Sequence, residues 1–303
     1  MKNKNPIICF FSKSYVYAAT FSLLLTAAFV FVLLETFMIP KAIALASYNT
    51  NTENTEIKEQ AAPVVTATSY KDENIEISIE TIRAYDTDVY IADVKLNSIE
   101  YLKTAFAENT YGRNINEKTS VIANKQNAIF AINGDYYGFR NDGWVLRNNV
   151  LYRSGGNDAA LLMDMDGNFS CDSDKDSIEK LIPELWQIWS FGPPLVDLEE
   201  VTVSENQEIS GRSSNSNPRT AIGQAGNLHY IFIVSDGRTS ENAGLSLYEL
   251  ALLFNERGCS VAYNLDGGGS STMYFNGQII NKPTTGGRRI GEREVSDIVY
   301  IGY

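Results

Sequence analysis

The stretch YNLDGGGSSTMYFNG, residues 263–277, sets three consecutive glycines behind an aspartate and follows them with two serines and a threonine. Apolar runs flank it, SVAYNL before and TMYF after, so it reads as two strands joined by a loop. Asp-Gly alone would make an ordinary hairpin turn. Such a turn needs one or two glycines, not three followed by three hydroxyls. Without a Cβ, Gly267, Gly268 and Gly269 permit positive φ and let backbone N–H groups approach a ligand. Successive N–H groups of this kind form a nest that suits an anion. Asp266 ends a buried strand, placed to act as a base, a nucleophile or a metal ligand, and Ser270, Ser271 and Thr272 add hydroxyls. No lysine follows the glycines and no helix is expected, which separates this loop from the phosphate loop of nucleotide hydrolases.

Working outward, NIEISIETIRA (74–84) and TDVYIADVKL (87–96) alternate with period two, as half-buried strands do. AIFAING (128–134) reads as a fully buried strand, and HYIFIVSDG (229–237) as a strand ending in an Asp-Gly turn. WVLRNNVLYRS (144–154) and ALLMDMDGNF (160–169) read as hairpins around Asn148-Asn149 and Asp166-Gly167. VSDIVYIGY (295–303) is a closing strand. SIEYLKTAFAE (98–108) reads as a short amphipathic helix, and SLYELALLFNERG (246–258) as a helix starting at Ser246 and stopped by Gly258. Many strands and few helices, out of strict βαβ order, predict an α+β fold: mixed, mainly antiparallel twisted sheets flanked by a few helices, one globular domain over 70–303. AINGDYYG (131–138) echoes YNLDGGGS, each a buried strand ending Asn-x-Asp.

The N-terminus carries an address. Lys2, Lys4 and Lys13 precede YVYAATFSLLLTAAFVFVLL (15–34), an uncharged run of about bilayer-spanning length. Basic residues before it place 1–14 on the cytoplasmic side and the rest outside. AIALAS (42–47) offers a signal-peptidase pattern ending at Ala46, but core length favours an uncleaved anchor over 15–39. Residues 40–69, rich in Asn, Thr and Glu, read as a flexible spacer.

Composition narrows the function. A net charge of -12 argues against a nucleic-acid partner. One histidine, His229, and three scattered cysteines exclude a zinc site of the usual ligands. Cys171 and Cys259 either pair or stay free, since spacing does not decide. Asp135, Asp236 and Asp266 each end an apolar run and could meet at one sheet edge. Glu249 completes a capping box with Ser246, which explains it without catalysis. DSDKDS (172–177) begins like a calcium loop, but Ser177 stands where an EF-hand needs glycine, so it reads as a solvated acidic loop. Arg219 in SNPRTAIG, Arg238 in SDGR and Arg288, Arg289 and Arg293 in GGRRIGERE could fork a phosphate or carboxylate. Tyr136 and Tyr137, beside Asp135, could offer a face to a sugar.

With AINGDYYG, WSFGPPLV, NPRTAIGQ, SDGR, GLSLYELALLF, YNLDGGGSSTM and EREVSDIVYI in order, the sequence resembles the phosphodiester glycosidase family, which has bacterial members associated with exopolysaccharide biosynthesis. The resemblance implies hydrolysis of a sugar-1-phosphodiester, such as one of N-acetylglucosamine, with release of the sugar. It implies Asn133, Arg219, Asp236, Glu249, Asp266, Gly267 to Gly269, Ser270, Thr272 and Arg293 as site positions, with Thr220 and Arg238 inside the matching motifs. Family members carry glycine or aspartate where Asp135 stands, so Asp266 ranks above it. The expected protein is a membrane-tethered extracellular glycosidase with a phosphorylated sugar or glycan as partner. No cofactor is required by the sequence. The alternatives are a non-catalytic glycan-binding or assembly protein on the same fold, and a phosphodiesterase using the carboxylates to hold a divalent cation such as Ca2+. Nothing in the sequence sets the oligomeric state.

Overall fold

The computed structural model describes residues 14–42, 62–156, 158–205, 216–287 and 289–303. Every strand pairing within them is antiparallel. The period-two segments form strands Ile75–Ala84 and Thr87–Leu96, paired from Ile75↔Leu96 to Ala84↔Thr87. Tyr85 and Asp86, both at positive φ, turn the hairpin with the twist its strands need. Ile75, Ile77 and Ile79 are buried while Glu76, Ser78 and Glu80 face solvent, as alternation dictates.

This hairpin belongs to a nine-stranded sheet ordered Glu200–Val201, Pro194–Asp197, Val261–Asn264, Thr220–Gly226, His229–Ser235, Thr87–Leu96, Ile75–Ala84, Ser69–Lys71 and Val64–Val65. The sheet thus reaches back to Val64. A five-stranded sheet holds Gln278–Ile279, Met273–Phe275, Phe130–Asn133, Asp297–Ile301 and Leu102–Phe106. A second one holds Val150–Arg153, Val145–Arg147, Leu185–Trp189, Ala160–Asp164 and Phe169–Asp172. Side chains of all three sheets meet in one core, with Ile77, Phe232 and Tyr263 from the first, Phe130 and Met273 from the second, and Leu161 and Trp189 from the third. The outer face of the large sheet is covered by helix Leu247–Asn255, whose Leu250, Ala251 and Phe254 pack on Ala221, Ile231 and Ala262. Its start is the expected capping box, with the Ser246 hydroxyl accepting from the Glu249 N–H and the Glu249 carboxylate accepting from the Ser246 N–H.

Two expectations are corrected. SIEYLKTAFAE is not an amphipathic helix. It makes a 3-10 turn, Ile99–Tyr101, then strand Leu102–Phe106 along Asp297–Ile301, and enters a second 3-10 turn, Ala107–Asn109. Short apolar runs fit both periods, and pairing with the closing strand decides between them. Nor is DSDKDS all loop: the Asp174 carboxylate caps helix Lys175–Leu181 by accepting from the Ser177 N–H. A further short helix, Thr119–Lys125, puts Ile122 and Ala123 against Ala131, Ile298 and Tyr300. Cys171 and Cys259 are free. The first packs against the central core and the second under helix Leu247–Asn255, on the other face of the large sheet.

At the N-terminus, helix Ser14–Phe37 is apolar and long enough to cross a membrane, with most side chains exposed. Just beyond it, Lys41–Ala42 pairs with Gly112–Arg113, and the Asn114 amide donates to the carbonyls of Thr36 and Ile39 at 3.2 and 3.3 Å. Residues 1–13 of the expected cytoplasmic segment 1–14, and residues 43–61 of the expected spacer 40–69 with nearly all of the cleavage pattern, lie outside the described residues.

Candidate active site

The two Asn-x-Asp strand ends meet, although their strands lie in different sheets. The Asp266 N–H donates to the Gly134 carbonyl at 3.3 Å, and the Asn133 amide donates to the Asp266 carbonyl at 2.6 Å. Asn133 also accepts from the Thr220 hydroxyl at 2.8 Å and from the Thr272 N–H at 3.2 Å. Asn133, Thr220 and Thr272 are all buried and line neither chamber of the cleft described below. One side-chain amide therefore ties together the segments that carry the site from behind it.

Part of the glycine loop's N–H set is spent within the protein. The N–H groups of Gly268, Ser270 and Ser271 are spent on the carbonyls of Pro218, Gly267 and Gly268. Two of the glycines supply clearance. A Cβ on Gly267 would stand 2.8 Å from the Pro218 carbonyl, and one on Gly268 would stand 2.9 Å from the Arg238 Nη2. One on Gly269 would meet Arg293 only at ordinary contact distance, 3.6 Å from its Cδ. Gly268 also holds φ at +63°, which glycine adopts without strain.

Above this loop lies a cleft of two chambers that share Tyr136, Asp266 and Arg293. The first, about 460 Å³, adds Asp135, Phe139, Ser270 and Glu294, with the Tyr136 and Phe139 rings stacked at 4.5 Å. The second, about 370 Å³, adds Arg140, Arg219, Arg238, Phe191 and the backbone of Gly267 and Gly268. Most of the carboxylates and the stacked ring pair lie on one side of Asp266, with Lys118 among them, and most of the guanidinium groups on the other, beside Phe191.

Asp266 sits at the junction. Its Oδ2 accepts from the Ser270 hydroxyl at 2.5 Å and from Arg293 Nη2 at 3.0 Å. Arg293 also donates to the Ser270 Oγ through Nε, at 3.0 Å, and through Nη2. Burial raises the Asp266 pKa above the usual carboxylate value, against the pull of Arg293 and Ser270. Arg219 is almost fully buried, its Nε donating to the Leu245 carbonyl at 2.9 Å. Burial, then the neighbouring Arg238 charge, bring its pKa down to about 10, still ionised at neutral pH.

Asp135 shares the first chamber, but its carboxylate is fully engaged. It accepts from Arg147 Nη2 at 2.8 Å and from the N–H groups of Tyr137 and Ser190 at 3.0 and 3.2 Å. Arg147, buried, bonds a second buried carboxylate, Asp297, at 3.0 Å. Burial raises the Asp297 pKa. Arg147, Asp297, Arg140 and Phe139 are the residues sequence reasoning missed. For Arg147 and Asp297 a signal existed, since each is a charge at the end of a strand that is otherwise apolar. Tyr137 is packed against Tyr111, away from the cleft, and only Tyr136 of that pair faces it.

Asp236 does not join Asp135 and Asp266. Its oxygens accept from the Lys282 N–H at 2.8 Å, Tyr90 at 3.1 Å and Asn281 at 3.3 Å, and it lines a separate cavity with Lys282 and Thr284. Glu249 stays on its helix cap and lines neither chamber. Arg289 is exposed and lines neither, and Arg288 lies outside the described residues. As for a divalent cation, no group of three His, Cys, Asp or Glu among the described residues could hold one. The two cleft aspartates already face Arg293 and Arg147, a donor set that does not fit a Ca2+ cage.

Fold and cleft together define an antiparallel α+β domain with a carboxylate between an arginine-lined chamber and one with a stacked aromatic pair. The chain belongs to the phosphodiester glycosidase family, whose model matches residues 126–302. It is 31% identical over 110 residues to mouse N-acetylglucosamine-1-phosphodiester alpha-N-acetylglucosaminidase, covering 35% of this chain and 21% of that protein. It is 27% identical over 212 residues to the Bacillus subtilis (strain 168) SPbeta prophage-derived uncharacterized protein YomE, covering 64% of this chain and 31% of that one. The match thus spans about a fifth to a third of these relatives. Among solved structures, the zebrafish N-acetylglucosamine-1-phosphodiester alpha-N-acetylglucosaminidase catalytic domain, auto-inhibited by its pro-peptide, shares the fold. The TM-score is 0.61 at 20% identity, over 76% of this chain and 83% of that one.

Proposed function

We propose that this protein hydrolyses a sugar-1-phosphodiester at the anomeric carbon, releasing the free sugar, outside a membrane to which helix Ser14–Phe37 tethers it. The observation that carries the reading is the division of one cleft around Asp266. A sugar-1-phosphodiester has two unlike ends, a polyhydroxylated ring and an anion. The stacked Tyr136 and Phe139 suit the ring, and Arg219 and Arg293, in the chamber on the other side, suit the phosphate. The scissile bond then falls beside Asp266.

A phosphate monoester leaves more readily than a sugar alkoxide, so protonating it matters less. The chemistry needs donors to hold the departing phosphate and a carboxylate to meet the oxocarbenium-like carbon or to activate water. Arg219 and Arg293 fill the first role. Asp266 fills the second, oriented by Ser270 and Arg293 and kept basic by burial. Asp135, clamped by Arg147, adds a fixed negative charge to the ring chamber.

The test is to incubate the full chain with a synthetic N-acetylglucosamine-1-phosphodiester and look for free sugar by mass spectrometry. Release that disappears in Asp266→Asn and Arg219→Ala supports the reading. Sugar phosphate as the product would point to P–O cleavage instead. Binding without any product, across several sugars, would leave a glycan-binding role.

A further inference from the structure

A phosphodiester bears one negative charge, yet four arginines line the second chamber and Asp266 is the one carboxylate among its described lining residues. Arg293 is paired with Asp266 and Arg219 is buried beside the loop. The other two stand further out. Arg238 is exposed, its Nε donating to the Asn217 side chain at 3.1 Å, with its guanidinium against Gly268. Arg140 is half-buried, its guanidinium carbon 4.8 Å from the centre of the Phe191 ring. Neither forms an ion pair among the described residues.

Guanidinium groups repel one another, and the lowered pKa of Arg219 includes Arg238 among its causes. A protein of net charge -12 that holds so much positive charge in about 370 Å³ is built for more than one anion. We propose that Arg140 and Arg238 form a second anion subsite, beyond the one that takes the scissile phosphate, and that the natural leaving group carries another negatively charged group next to it. The Phe191 face fixes the Arg140 plane while leaving its N–H edges free to fork an oxyanion. The proposal rests on the glycosidase reading above and names its substrate class: a sugar linked to a diphosphate, or to an alcohol that is itself phosphorylated. The reaction is unchanged. Water oxygen bonds to the anomeric carbon and the bond from that carbon to the bridging oxygen breaks. The bridging oxygen departs with the dianionic or more highly charged fragment, and one water proton passes to solvent.

Two measurements on the full chain separate this from the glycosidase reading itself. In calorimetry, inorganic pyrophosphate should bind at least about tenfold tighter than inorganic phosphate, the scale of one further charge-assisted contact. Arg140→Gln and Arg238→Gln should each narrow that ratio. In turnover, kcat/KM is compared for three N-acetylglucosamine esters: a neutral-alcohol phosphodiester, a glycerol-phosphate phosphodiester and UDP-N-acetylglucosamine. The doubly charged esters should be preferred about tenfold, with the preference reduced in both variants. Preference for UDP-N-acetylglucosamine alone assigns the diphosphate, and preference for the glycerol-phosphate ester alone assigns the phosphorylated alcohol. Equal binding of phosphate and pyrophosphate, or variants that weaken all ligands alike, would overturn the subsite. Tight pyrophosphate binding with no sugar released from any ester would instead sink the glycosidase reading and leave the subsite standing.

Discussion

Asp135 and Asp266 end the same local motif and have opposite surroundings. Each follows a buried strand by two residues, and the two strand ends are bonded to each other through Gly134 and Asn133. Asp135 is locked inside a salt-bridged cluster, where every acceptor contact is to the protein core. Asp266 faces both chambers and is held only by Arg293 and Ser270, which themselves line the cleft. The difference teaches that a carboxylate at a strand end stays open to a cleft or is locked in the core through the cation it meets. A buried arginine with a second carboxylate behind it makes a fixed charge. A half-exposed one makes an adjustable partner.

Breaking this contrast should give the largest effects. Asp266→Asn should lower kcat by about 10²- to 10⁴-fold with little change in the urea midpoint, and near-normal turnover would remove it from the centre of the reaction. Arg147→Met should act the other way, leaving Asp135 and Asp297 facing each other without a cation. A loss of about 3–5 kcal/mol in chemical unfolding is expected, and an unchanged midpoint would mean the cluster is not structural.

Gly268→Ala sharpens the contrast from the loop side. The positive φ and the 2.9 Å approach to Arg238 should together cost about 1–3 kcal/mol and raise KM. A wild-type melting temperature and KM would show that the loop yields.

The raised carboxylates set a pH dependence. Asp297 and Asp266 both hold their protons more tightly in the folded state because they are buried. Their contribution to stability is fully present below the unfolded carboxylate value of about 3.9 and fades as pH rises through the folded values. Against wild type, Asp297→Asn should therefore become relatively more stable as pH rises from acid towards neutral, read from melting curves across that range. In the same way, the acid limb of kcat/KM should lie above the ordinary carboxylate value, and a limb at or below it would count against Asp266 as the base.

The smallest effect concerns Glu249. Replacing it by Ala removes half a capping box, which should lower stability by about 1 kcal/mol and leave kcat near wild type. A loss of turnover on the scale of Asp266→Asn would bring Glu249 back among the groups that act in the cleft.

Much of this architecture is legible in the sequence where local rules and tertiary packing agree. The alternation of Ile75, Ile77 and Ile79, the Asn148-Asn149 and Asp166-Gly167 turns and the Ser246 cap each state their structure directly. Leu102–Phe106 was hidden because five residues do not distinguish the two periods, and only the closing strand selects one. At the site, Asp266, Arg219, Arg238 and Arg293 were legible as motif residues that do converge on the cleft. Asp236 was not legible as an outsider, because a strand end fixes where a carboxylate starts and not which loop closes over it. In Asp236 that loop is 281–282, whose groups occupy its oxygens. Arg140 escaped notice because its partner, Phe191, is distant in sequence and nothing local marks it.

Gly268 has one more consequence. By admitting the Arg238 guanidinium to the chamber that Arg219 and Arg293 also line, it leaves that rim of the cleft electrostatically frustrated. An anion that enters relieves the mutual repulsion as well as forming its own bonds, so its affinity for the folded chain is coupled to the chain's cohesion. Such an anion is then also a thermodynamic stabiliser of the segment that holds it. The empty protein should soften there first at low ionic strength, where nothing screens the arginines from one another.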